Sequence, residues 1–137
     1  MSNATRSSTA AVVESFFARF GAGDVPGLVD LFADTFDLVV DGTPNIPWSG
    51  RRSAPAELPD FFGSFGRVLG PAQEYEITTT VVDGGNAVVL GHNKFEVLAT
   101  GRSFTNHFAL HIAVRDGKIT TYHMYEDTYA IDAAFAG

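Results

Sequence analysis

Three short turn signals divide the second half of this chain and limit its possible folds more than any other feature. Asp83-Gly84-Gly85-Asn86, Thr100-Gly101 and Asp116-Gly117 separate four segments, at about 73–83, 86–99, 102–115 and 117–127, each rich in β-branched and aromatic residues. Turns this short join antiparallel neighbours, because a parallel crossover needs a dozen or more residues. The second half is therefore expected to be a four-stranded antiparallel meander.

The first half carries a different period. Val12, Val13, Phe16, Phe17 and Phe20 recur at three-and-four spacing behind a cap at Ser8 or Thr9. This predicts a helix through Phe20, ended by Gly21-Ala22-Gly23. Asp24 caps a second helix, with Pro26 tolerated in its first turn and Leu28, Leu31 and Phe32 as its apolar stripe. Phe36–Val40 reads as a strand. Residues 41–53, with Gly42, Pro44, Pro47 and Gly50, read as a loop. Ser53 opens a third helix to about Leu69, carrying Leu58, Phe61, Phe62 and Phe65 and stopped by Gly70-Pro71. Tyr129 to Phe135 is a short helical tail, and residues 1–8 are a flexible lead-in. Helices followed by a meander give one α+β domain over residues 1–137, its three N-terminal helices packed on a curved antiparallel sheet.

Composition narrows the function. With 16 acidic against 9 basic residues and a net charge of −7, the chain lacks the basic footprint of a nucleic-acid binder. It has no cysteine, which removes disulfides, zinc–thiolate sites and thiol nucleophiles. No apolar run approaches the roughly 20 residues of a membrane helix, and Met1–Thr9 is not a signal peptide, so a cytoplasmic protein without membrane partners is expected.

Alternation along 102–115 separates the two sheet faces. Phe104, Asn106, Phe108, Leu110, Ile112 and Val114 form a large apolar row with Asn106 as its polar interruption. Ser103, Thr105, His107, Ala109, His111 and Ala113 form the other. The even row is expected to face the helices. The facing of 86–99 then depends on the Thr100-Gly101 turn. A three-residue loop with Gly101 as a left-handed bulge sets even positions opposite even ones, aiming His92, Lys94, Glu96 and Leu98 inward with Lys94 opposite Asn106. Gly at the position that benefits from positive φ favours this form. A strict two-residue turn would flip the parity and put the charges outside. Lys94 and Glu96, side by side on an inner wall, make sense around a hydrated cavity and not in a dry core.

LVDLFADTFDLVVDG (28–42), PWSGR (47–51), TGRSF (100–104) and VRDGKITTYHMYEDTYA (114–130), with this order of elements, resemble the nuclear transport factor two-like superfamily of cone-shaped α+β barrels. Within it the chain is most similar to SnoaL-like polyketide cyclases and ketosteroid isomerase-related proteins. The isomerase resemblance implies a general base at Asp41. Its oxyanion-hole positions fall here on Phe16 or Phe17 and on Phe108 or Leu110, so that hole is missing. Lys94-Phe95-Glu96 also resembles the Arg-x-Asp pair of limonene epoxide hydrolase. The last-strand carboxylate of that enzyme aligns with Met124, and Glu126 lies two residues on. The cyclase resemblance implies one acid/base group among Asp41, His92 and Glu96.

Together these readings lead to a cofactor-independent acid/base enzyme for a small hydrophobic, polyketide-like substrate, working by proton transfer, isomerisation or cyclisation. The expected catalytic set is Asp41, His92, Lys94 and Glu96, in a pocket completed by Trp48, Leu98, Asn106, Phe108, Met124 and Glu126. No metal is expected, since the histidine spacing fits no ligand pattern. An epoxide hydrolase-like enzyme using Lys94 and Glu96 and a non-catalytic small-molecule-binding domain are the alternatives. His107, His111 and His123 fall on the outer face, where the resemblance implies a homodimer interface.

Overall fold

The strands pair as their turns demand. A computed structural model of the chain describes residues 3–136, in the order α1 (Asn3–Gly21), α2 (Val25–Val29), β1 (Phe32–Val40), β2 (Gly50–Arg52), a 3-10 turn (Pro55–Glu57), α3 (Leu58–Val68), β3 (Glu74–Asp83), β4 (Asn86–Glu96), β5 (Ser103–Arg115), β6 (Lys118–Tyr125) and α4 (Thr128–Phe135). The six strands form one open sheet in the order β2-β1-β6-β5-β4-β3. β3 to β6 are the antiparallel meander, and β1 joins β6 in parallel. The parallel pair is the one departure from an antiparallel sheet.

Local chemistry accounts for most boundaries. The Asp24 carboxylate accepts from the Gly27 N–H and caps α2, with Pro26 in its first turn. The second helix nevertheless stops at Val29, and Phe32 opens β1. β1 is irregular against β6 between Phe32 and Asp37, which lets it start four residues earlier than Phe36. Within the loop 41–53, Gly50–Arg52 adds a short edge strand against Leu38–Val40. The Glu57 N–H donates to the Ala54 carbonyl, which makes the segment before α3 a 3-10 turn, and the Glu57 carboxylate accepts from the backbone N–H groups of Ser53 and Ala54. Residues 3–8, expected as a lead-in, form the first turns of α1; Met1 and Ser2 lie outside the described residues. Buried Thr9 ties α1 to the sheet by donating to the Gly84 carbonyl at 2.8 Å. Among the described residues no helix is long and apolar enough to cross a membrane.

The helices cover one face of the sheet. The even row of β5, from Phe104 to Val114, is buried beneath them. On β4 the buried positions are the odd ones: Ala87, Val89, Gly91 and Asn93. Gly91 has a steric reason, because a Cβ there would stand 2.4 Å from the Glu76 carbonyl and 2.9 Å from the Phe108 ring. Phe16, Phe62, Phe61 and Tyr122 meet edge-on and tilted at centroid distances of 5.0–6.5 Å, forming an aromatic core between α1, α3 and β6.

The β4–β5 register corrects the expectation for the charged hairpin. Lys94 lies opposite Thr105 and Glu96 opposite Ser103, whereas Asn93 faces Asn106 and Phe95 faces Phe104. Gly101 does take a positive φ, +74°. The loop, however, is one residue longer than the bulged form. The Val97 N–H donates to the Arg102 carbonyl, and the Gly101 N–H to the Val97 carbonyl, leaving residues 98–101 between the closing pair. Four loop residues set odd against even, so His92, Lys94 and Glu96 turn to the outer face, while Leu98 falls in the loop itself, its N–H donating to the Val68 carbonyl.

Candidate active site

The helices and the inner sheet face enclose a cavity of about 500 Å³. Its walls are largely aromatic and aliphatic: Phe16, Phe17 and Phe20 from α1, Phe65 and Leu69 from the α3 side, and Phe95, Phe104, Leu110 and Met124 from the sheet. Against this apolar lining stand Trp48, Tyr75, Asn93, Asn106, Tyr122 and Glu126. A few polar groups in an apolar hollow of this size are the usual make-up of a small-molecule site.

Glu126 is the centre of that polar set. It lies where β6 ends and α4 begins, and the next residue, Asp127, caps α4 by accepting from the Ala130 N–H. The Trp48 indole N–H donates to Glu126 Oε1 at 2.9 Å, and the Asn106 amide donates to Oε2 at 3.0 Å. Asn106 Oδ1 accepts from the Asp127 N–H at 2.9 Å, which fixes the amide so that its nitrogen must face the carboxylate. Among the described residues no cation is paired with Glu126. Burial raises its pKa, and the hydrogen bonds from Trp48 and Asn106 pull the other way. The result is a carboxylate held in place but easier to protonate than a surface glutamate.

Two phenols share the cavity with it. Tyr75 is pushed up to about 12 by burial and by the charge of Glu126. Tyr122 is raised well above the ordinary range, mainly by burial, then by Tyr75 and Glu126. Both remain neutral hydrogen-bond donors at physiological pH. The fourth polar wall is Asn93. Its Oδ1 is sealed from solvent and has no hydrogen-bond partner, an arrangement that costs about 1–3 kcal/mol.

The Trp48 loop is secured at several points. Its ring packs on Phe65 and Phe135 at 5.1 and 5.6 Å, and Arg52 donates to its carbonyl at 2.7 Å. Thr43 and Asn45 donate to Asp132 on α4, and these bonds lower the Asp132 pKa. Thr100 donates to the Ala134 carbonyl, so α4 is held by both the loop and the β4–β5 hairpin.

The sequence-derived site residues therefore divide. Trp48, Asn106, Met124 and Glu126 converge on the cavity. Phe108 is on the inner row but lies outside the cavity lining, packed near Tyr75 at 6.1 Å. None of the four expected catalytic residues reaches the cavity. His92 pairs on the outer face with Glu74 at 2.6 Å, Lys94 is exposed, Glu96 shares that face by register, and Leu98 is an exposed residue of the hairpin loop outside the cavity lining. The epoxide hydrolase-like pair inside the cone is thus corrected by the four-residue loop. Asp41 sits beyond the end of β1, exposed, and bonds His123 Nε2 at 2.9 Å across the outer surface. Tyr75, Asn93 and Tyr122 were missed. Asn93 and Phe95 become visible in the sequence only once the β4 parity is known, and Tyr122 follows from its even spacing to Met124 and Glu126.

A helix-covered, curved and unclosed sheet with an apolar cavity on its inner face defines the class of cone-shaped α+β folds. A family model for the SnoaL-like domain matches residues 13–122, and the chain belongs to that family. An NTF2-like protein from Burkholderia xenovorans is 26% identical, with 95% of this chain and 97% of that one covered and a TM-score of 0.83. TerC, co-crystallised with polyporic acid, is 21% identical over 95% and 99% of the two chains, with a TM-score of 0.82. A Catenulispora acidiphila protein with a ketosteroid isomerase-like fold, in complex with trimethylamine, is 14% identical over 91% and 92%, with a TM-score of 0.76. No curated protein matches the chain.

Proposed function

We propose that this protein is an acid/base enzyme in which Glu126 moves a proton on a small, largely apolar carbonyl compound. The observation that carries the reading is a half-buried carboxylate with no cation partner among the described residues, held by Trp48 and Asn106 on the wall of an apolar cavity. A carboxyl group whose pKa is raised on the wall of such a hollow is a candidate general acid/base group. Glu126 would take a proton from the carbon beside the carbonyl. The C–H electron pair moves onto the carbonyl oxygen, and a phenol O–H from Tyr75 or Tyr122 hydrogen-bonds the enolate that forms. Where a C=C lies beside that carbon, a dienolate forms, and the neutral glutamic acid returns its proton to the far (γ) carbon as the double bond moves into conjugation with the re-formed carbonyl, giving an isomer. If the enolate instead closes onto a second carbonyl, the proton goes to the new alkoxide. This roster differs from the isomerase positions, with phenols from β3 and β6 where phenylalanines occupy α1.

2-Tetralone tests the reading, because it fits an apolar cavity and has exchangeable protons beside its carbonyl. In deuterated buffer the protein is expected to accelerate exchange, and Glu126→Gln to reduce the acceleration by about 10²–10⁴-fold. Saturable binding of 2-tetralone without faster exchange would identify a binding domain instead.

A further inference from the structure

We infer that Asn93 is a specificity residue that accepts a hydrogen bond from a hydroxyl on the ligand. The inference rests on the cavity being the ligand site and adds to it the chemistry of one substituent. Asn93 is buried, at 7% exposure, on the cavity wall, and its Oδ1 has no partner among the described residues. Buried carboxamides are normally hydrogen-bonded, so an idle one in a ligand cavity marks a place where the ligand completes the bonding.

The surroundings argue for a donor on the ligand. Asn106, directly opposite across β4–β5, is fully used: its nitrogen serves Glu126 and its oxygen serves the Asp127 N–H. Directly opposed side chains in such a pair have Cβ atoms about 5 Å apart, which puts the Asn93 amide one side chain from the group that holds the carboxylate. Tyr75, Tyr122 and the Trp48 N–H are donors, and Glu126 already accepts two bonds. Among the described residues, Asn93 Oδ1 is thus the cavity's buried carboxamide acceptor without a partner, beside the phenol oxygens of Tyr75 and Tyr122, which can accept as well as donate. Its terminal torsion is broad, so a small rotation presents Oδ1 to the hollow. A ligand hydroxyl bound there would lie beside the reacting carbon, not at the far apolar end lined by α1.

Naphthalene, 2-methoxynaphthalene and 2-naphthol separate the contributions, since only the last is a donor. Binding is measured by tryptophan fluorescence on the wild type, Asn93→Leu and Asn93→Ala, each checked for folding by circular dichroism. The wild type is expected to bind 2-naphthol roughly three- to ten-fold tighter than 2-methoxynaphthalene. Both Asn93 variants should reduce that preference to less than about two-fold while naphthalene still binds. Asn93→Leu should also melt at a higher temperature, because it removes an unsatisfied buried amide. Equal affinity for the two oxygenated probes in the wild type overturns the inference, as does a preference that survives both substitutions. Failure of all three probes to bind would remove the cavity reading and this inference together. Naphthalene binding with no hydroxyl preference removes this inference alone. Glu126→Gln should reduce 2-tetralone exchange by the same roughly 10²–10⁴-fold, the loss expected for removing a general base, and keep the hydroxyl preference, so the two roles fail separately.

Discussion

Glu126 combines two opposing influences, and their balance has measurable consequences. Burial favours its neutral form, whereas the Trp48 and Asn106 donors favour the carboxylate. As a base it must be ionised, so exchange activity should rise with pH through a midpoint above that of an ordinary glutamate. Trp48→Phe removes one donor and keeps the ring contacts. Its midpoint should move to higher pH, and its rate near neutrality should fall about ten-fold, the order expected for losing a hydrogen bond to a charged group. The stability linkage follows the same sign. A folded pKa above the unfolded value means the folded state holds the proton more tightly. That contribution is fully present below the unfolded pKa and is lost as pH rises through the folded one. Urea titrations of wild type and Glu126→Gln should therefore show the wild type gaining relative to the variant as pH falls from neutral into the carboxylate range. A difference that stays flat with pH would mean Glu126 is not perturbed.

At the scale of elements, the β4–β5 hairpin decides which residues can act. Its parity is set by the count of loop residues between Val97 and Arg102, and Gly101 supplies the positive φ that closes the loop. Gly101→Ala should cost about 1–2 kcal/mol in urea unfolding, the penalty of a left-handed residue with a Cβ. Lys94→Met and Glu96→Gln should leave 2-tetralone exchange within about two-fold of wild type, since both side chains lie on the outer face. A large loss in either would return the charged pair to the chemistry. The same hairpin shows what was legible in the sequence. Alternation on β5 identified its inner row, and the turn signals identified all four meander strands, because period and turn chemistry are local. The β4 row was not legible: one extra loop residue reverses every side chain, and nothing local counts loop residues. Asp41 was misplaced for a related reason, since position in a motif says nothing about which way the chain leaves β1. Glu126 was visible as a wall residue, but its importance depends on Trp48, 78 residues away, reaching over it.

At the scale of the molecule, the uncovered sheet face raises the question of a second copy. The register places Val81 beside Val88, and Leu90 beside Ala109, which in turn lies beside Tyr125. Val81 is 54% exposed, Leu90 40% and Tyr125 50%. The chain's four histidines share this face: His92 opposite His107, and His111 opposite His123. Large apolar side chains gathered on one open face mark an interaction surface more often than a solvated one. We propose that two copies pair through it, with His107, His111 and His123 at the contact. A two-fold axis brings each residue's symmetry partner to the same patch, so one substitution introduces two charges. Leu90→Glu, at the centre of the apolar rows, would then bring a pair of like charges into an apolar contact, where their desolvation and mutual repulsion oppose pairing. Sedimentation velocity is expected to show a dimer for the wild type and a monomer for Leu90→Glu. The cavity lies on the opposite side of the sheet, so the monomeric variant should still bind 2-tetralone. A wild type that sediments as a monomer at all concentrations would rule out the pairing without touching the site. A Leu90→Glu monomer that loses 2-tetralone binding would show that the outer face supports the curvature on which the cavity depends.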